Sequence, residues 1–192
     1  MKYNLIAVIY LVAVILIAHI VVSPPYVWSE NTISQLGAQS YRHSWMMRAG
    51  FIGFGSLVIL GARQRIKKSR SLWYRELPLT IYGLGILLSG FFSAEPFSQG
   101  VAFSQTEAGV HSAAAMAAGI GMTIAILLYA FTDKIVFKKF IHSTAFALVV
   151  SLSALFGILS IGAGIAQRLL YIVGFAWLIY IERSPETRHS LK

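Results

Sequence analysis

The chain has 192 residues and no cysteine, so disulfides, thiolate metal ligands and a cysteine nucleophile are all excluded. Acid is nearly as scarce. Seven Asp and Glu stand against sixteen Lys and Arg, a net charge of +9. Only 12% of the residues are charged, about half the share of a soluble domain. With 57% hydrophobic residues and a mean hydropathy of +0.70, the composition excludes a soluble globular chain. In a soluble protein the basic excess would point to nucleic acid. Here the charges gather in short loops between apolar runs, as the positive-inside rule describes, and no nucleic-acid partner is expected.

What the chain has is apolar runs long enough to cross a bilayer. Six helices are expected, at about Tyr3–Val22, Trp45–Ala62, Leu77–Ser93, Glu107–Phe131, Phe140–Ile161 and Arg168–Ile181. The first is too long for a signal-peptide core, and Pro24-Pro25-Tyr26-Val27-Trp28 is a poor cleavage region, so it is read as a permanent helix. Pro78 would fall in the first turn of helix 3, where proline is tolerated. Ala49, Gly50, Gly53, Gly55, Gly83, Gly85 and Gly90 make ridges of small side chains. They suit close helix contact, inside the bundle or with a second copy or a membrane partner.

Thirteen of the sixteen basic residues fall on one side if both termini lie in the cytoplasm: Lys2, the six of the Arg63–Glu76 loop, Lys134, Lys138, Lys139, Arg183, Arg188 and Lys192. Arg42, Arg48 and Arg168 fall on the other. The expected fold class is therefore an all-α integral membrane protein. It is a single six-helix domain over residues 1–192 in a prokaryotic cell membrane, with both termini cytoplasmic and lipids as its partners.

The first outer loop holds a dense polar passage, Ser29-Glu-Asn-Thr-Ile-Ser-Gln-Leu-Gly37. Thr32-Ile33-Ser34-Gln35 fits a capping box, and Gly37 is a natural stop. A short interfacial helix is expected here. The outer side also collects His19, Glu30, Arg42, His43, Arg48, Glu95, Glu107, His111, Gln167 and Arg168. The inner acids and histidines (Glu76, Asp133, Glu182, Glu186, His142 and His189) read as ordinary loop residues. Glu107 and His111, four apart on one helix face, form the sharpest pair. An ionisable side chain at that depth faces the bundle interior and often has a function.

The candidate ligand-binding set is thus Glu30, Ser34, Gln35, Arg48, Glu107 and His111. Glu107 and His111 are the candidate acid–base or catalytic pair, and His19, His111 and Glu107 the candidate metal ligands, with zinc as the metal. A structural reading stands beside each. In it His111 and His19 are hydrogen-bonded interhelical residues, Arg48 reaches the headgroups, and Glu107 caps its helix or pairs with Arg48 or Arg168.

The loop Ser29–Ala38, the glycine-rich second helix and the Glu107/His111 opening of helix 4 resemble the prokaryotic membrane proteins grouped as domain of unknown function 998. The Ser34-Gln35-Leu36-Gly37 element is the most specific part. That resemblance implies a six-helix membrane protein and no defined activity. The Ser34, Glu107, His111 set is also faintly similar to the zinc-dependent membrane hydrolases that include alkaline ceramidases. It departs from them in lacking a histidine pair on a late helix, because His142 falls on the opposite side.

Two functions follow from these residues. One is an outward-facing polar pocket for a lipid headgroup or small amphiphile. The alternative is a metal-dependent hydrolase of a lipid amide or ester. Transport ranks below both, because helices 3, 5 and 6 lack central charges.

Overall fold

A computed structural model describes residues 2–22, 25–158 and 162–184. They form six long helices: α1 (Tyr3–Val21), α2 (Ser44–Lys68), α3 (Trp73–Phe91), α4 (Gln105–Thr132), α5 (Val136–Ile158) and α6 (Ala163–Arg183). There is no strand among the described residues. All but α3 are long and apolar enough to cross a membrane. Each helix packs on its neighbour in sequence, and α6 returns to α1.

The core is built by Leu11, Met47, Phe51, Phe54, Val58, Leu79, Ile126 and Leu178, each buried. Ile9, Leu16, Ile20, Met116, Ile120, Phe131 and Ile172 are exposed on the outside. In water such a coat would be unfavourable, whereas in a bilayer it is the expected lipid-facing surface.

Several helix ends differ from the sequence reading. α2 runs six residues past Ala62, because Arg63–Lys68 contains no helix breaker and its cations suit a helix C-terminus. The expected basic loop shrinks to Ser69–Leu72, most of it a 3-10 turn at Arg70–Leu72. α3 starts four residues early, which puts Pro78 inside the helix rather than in its first turn.

α4 starts at Gln105, because the Ser104 hydroxyl accepts the Glu107 amide at 3.2 Å and acts as N-cap. α5 starts at Val136, after the Asp133 carboxylate accepts the Ile135 amide at 3.1 Å. Its expected end at Ile161, like Arg188, His189 and Lys192, lies outside the described residues. α6 starts at Ala163, following Gly162 with φ 86°, so Gln167 lies within the helix and not before it, and Arg168 stands in its second turn instead of opening it.

The small-residue ridges are spent inside the bundle. A Cβ at Gly85 would sit 2.5 Å from the Ala114 carbonyl oxygen and 2.8 Å from the Ala118 Cβ, so α3 and α4 touch backbone to backbone. Gly50 and Gly53 instead make room for side chains of α1, where a Cβ would come within 2.7 Å of Val14 Cγ1 and 2.5 Å of the Tyr10 ring. Replacing Gly85 with valine should force these helices apart and cost about 1–3 kcal/mol or more. Thermal unfolding in detergent measures this, with Gly109→Val as control, because a Cβ at Gly109 meets nothing within 4 Å.

Candidate functional site

The polar residues form three groups, one at the basic end of the bundle and two at the end that carries the first loop. The first loop is organised locally. The Thr32 amide donates to Gln35 Oε1 at 2.9 Å, and the Gln35 amide donates to Thr32 Oγ1 at 3.3 Å, so the capping box forms. The helical piece is a single 3-10 turn, Ser34–Gly37, ending at Gly37. Ile33 and Leu36 are its buried side chains.

This loop is docked on the start of α6. The Gly164 and Ile165 amides donate to the Glu30 and Ser29 carbonyls, each at 3.1 Å, which satisfies donors that a helix N-terminus leaves open. Gln167 Oε1 accepts the Ile33 amide at 2.6 Å.

Arg168 is the centre of the contact. Its Nη1 donates to the carbonyls of Asn31 and Gly164 at 3.0 and 2.9 Å. Its Nη2 donates to His19 Nε2 at 2.9 Å and to the Tyr26 hydroxyl at 2.8 Å. His19 Nδ1 lies 2.7 Å from the Ile15 carbonyl, so the ring fits one tautomer, with hydrogen on Nδ1 and Nε2 accepting from Arg168. Burial pushes the Tyr26 phenol above its ordinary pKa, against the pull of Arg168. Among the described residues no carboxylate pairs with Arg168. Four hydrogen bonds orient its guanidinium, and Nε–H makes no hydrogen bond among the described residues.

Below Arg168 lies a cleft of about 470 Å³ between α1 and α6. Val12, Ile15, Leu16 and His19 line one wall, at helical spacing i, i+3, i+4 and i+7. Arg168, Tyr171, Ile172 and Phe175 line the other at the same spacing. Both stripes end in a base at the first-loop end, where Trp28 and Ile33 complete the rim. The Arg168 guanidinium lies 5.9 Å from the centre of the Trp28 ring. At the basic end the two helices close on each other: Asn4 Nδ2 donates to the Leu178 carbonyl, and the Asn4 amide to Glu182 Oε2.

The second group is where the structure places Arg48, Glu107 and His111. All three serve the end of α3. Arg48 Nε and Nη2 donate to the Gly90 and Phe91 carbonyls at 3.1 and 2.9 Å. His111 Nδ1 lies 3.0 and 2.8 Å from the Ser89 and Phe92 carbonyls. Glu107 Oε1 accepts the Ser93 amide at 2.7 Å. A helix C-terminus leaves carbonyls unpaired and carries a partial negative charge; Arg48 answers both needs and His111 the first, whereas Glu107 accepts an amide of the segment that follows the helix. His111 Nε2 is buried without a partner.

The sequence candidates therefore divide between two places. Glu30 and Gln35 belong with the first loop, Glu30 through its backbone and Gln35 through the capping box. Ser34 opens the 3-10 turn. Arg48, Glu107 and His111 belong with α3. His19 is bonded to Arg168, apart from His111 and Glu107. No group of three or more His, Cys, Asp or Glu that could hold a metal ion occurs among the described residues.

The third group lies at the basic end, among residues that read as loop determinants. Glu76 is 2% exposed. It accepts from Arg65 Nε at 2.8 Å and from the Tyr129 hydroxyl, and Arg75 Nε lies 3.8 Å away. Arg65 Nη1 reaches Glu182 at 3.3 Å, and Glu182 accepts the Asn4 amide. Nearby, the Trp177 indole donates to His142 Nδ1 at 2.9 Å, and His142 Nε2 lies 3.7 Å from Asp133. All six helices contribute to this end. The signals available in sequence were Asn4, the first-turn polar residue of an otherwise apolar helix, and Glu76, the one acid among six bases.

The family model described as a protein of unknown function, DUF998, matches residues 5–182 of the chain. No curated protein and no solved structure matches it.

Proposed function

We propose that this chain, which belongs to the DUF998 family, is a multi-pass protein of a prokaryotic cell membrane that binds an anionic amphiphile in the cleft between α1 and α6. In this reading the basic end faces the cytoplasm and the first-loop end faces outward. The alkyl chain lies between the apolar stripes and the headgroup meets Arg168. The supporting observation is the cleft itself, an apolar slot crowned by a fixed and unpaired cation. Its volume is in the range of small-molecule sites.

Selectivity would come from the headgroup. Moving an alkyl chain from bilayer to cleft gains little, since both are hydrocarbon. A charge-assisted contact contributes about 1.5–3 kcal/mol, which is about 10- to 100-fold enrichment over neutral lipid. The guanidinium is already oriented by four hydrogen bonds, so little ordering is needed on binding. A hydrolase would need Glu107 and His111 turned toward such a cleft. Both are turned to the end of α3, so the binding reading is preferred.

Ile172 is 62% exposed and lines the cleft. Ile172→Trp should fill the slot from the lipid side and leave the core intact. Native mass spectrometry of purified protein is expected to show retained anionic lipid on the parent chain and at least a tenfold loss on the variant. Equal retention on both, or none on the parent, contradicts the proposal.

A further inference from the structure

One residue of the cleft wall carries a polar group that the headgroup reading does not use. Tyr171 lines its wall, three residues and one helical step below Arg168. Its ring rests edge-on against Phe175, 5.3 Å between centres. Its hydroxyl makes no hydrogen bond among the described residues, and the Tyr82 phenol of α3 lies within its electrostatic reach. In water that would mean nothing. In hydrocarbon an unpartnered hydroxyl is unfavourable, since no water is there to satisfy it. Tyr26 at the mouth, by contrast, has its hydroxyl occupied on every side.

We infer that the occupant is an ester-linked anionic lipid, with its phosphate at Arg168 and an acyl ester carbonyl accepting from the Tyr171 hydroxyl. The inference rests on the binding role proposed above and adds the class of lipid. Three residues of helix rise by about 4.5 Å, so the cation and the phenol stand at two depths on one face. In a glycerophospholipid the glycerol carbons set the phosphate and the acyl esters apart by a comparable distance. A fatty acid or an alkyl phosphate has one polar end and would leave Tyr171 bare. An ether-linked lipid places only a weak acceptor at that depth.

The test uses two probes, dioleoylphosphatidylglycerol and its dialkyl ether counterpart, which differ only in the two carbonyl oxygens. Each is titrated into the detergent-solubilised full chain, and occupancy is read by native mass spectrometry. The parent protein should bind the ester about 2- to 10-fold more tightly, the size of one neutral hydrogen bond. Tyr171→Phe keeps the ring and should bind both lipids equally, with ether affinity unchanged. Equal binding of the two lipids by the parent protein overturns the inference, as does an ester preference that survives in Tyr171→Phe. Arg168→Gln separates the two levels. If it weakens both lipids while the ester preference is missing from the parent, the binding role stands and only the lipid class fails. If it weakens neither, the headgroup role fails with it.

Discussion

Glu76→Ala is expected to be the most damaging single substitution in the chain, lowering stability by about 3–5 kcal/mol. The size follows from what the carboxylate leaves behind. Arg65 and Arg75, 12% and 11% exposed, would keep their charges in a buried network with only Glu182 to answer them. The Tyr129 hydroxyl would lose its acceptor. The network is already incompletely satisfied, since Asn4 Oδ1, Arg65 Nη2 and Arg75 Nε are buried without hydrogen bonds. Folded domains are stable by only about 5–15 kcal/mol, so the loss takes about a fifth of the margin or more. Unfolding in a graded denaturing detergent measures it. Arg65→Met combined with Glu76→Leu should be milder than Glu76→Ala alone, because removing both partners strands less charge. A single variant within about 1 kcal/mol of the parent would show that water already screens the network.

Arg168→Gln should reduce retained anionic lipid about tenfold or more, whereas Arg48→Gln should leave it unchanged. The sequence reading places Arg48 in the candidate ligand-binding set and leaves Arg168 out of it, although both lie outside the basic cluster and at the first-loop end. Their surroundings differ. Arg48 is committed to two carbonyls that α3 cannot pair for itself, so its loss is a stability effect of about 1–3 kcal/mol. Arg168 stands over a cleft with its charge unneutralised. Lipid analysis and thermal unfolding of both variants separate the roles, since each arginine should move one measurement much more than the other.

What could be read from the sequence was local. Thr32 and Gln35 are three residues apart, and their capping box follows from spacing alone. The apolar runs likewise announce α1, α2, α4, α5 and α6. Contacts across the bundle could not be read in this way. His19 and Arg168 are 149 residues apart, and Glu76 and Tyr129 are 53 apart. Basic residues near helix ends serve topology so commonly that Arg65 was indistinguishable from Lys67 and Lys68. The same habit hid Glu76 among them. Glu107 and His111 were correctly read as sharing a face, but spacing within one helix does not say what that face meets. Here it meets the carbonyl end of α3, where His111 lies against two carbonyls and Glu107 holds the Ser93 amide just beyond. The two stripes Val12–His19 and Arg168–Phe175 were present as patterns. Each looks like an ordinary lipid-facing or core stripe until the two are seen to face each other across a gap.

Photocrosslinking in the native membrane tests the central claim most directly, because it separates a specific occupant from the lipid that coats any membrane protein. An aliphatic diazirine amino acid, close to isoleucine in size so that the cleft stays open, replaces Ile172 and, in a second protein, Met116, which is 65% exposed on α4 and does not line the cleft. Adducts at position 172 should be strongly enriched in one anionic lipid class and lose that enrichment with Arg168→Gln. Adducts at position 116 should follow the bulk membrane. The same lipid composition at both positions would contradict the account.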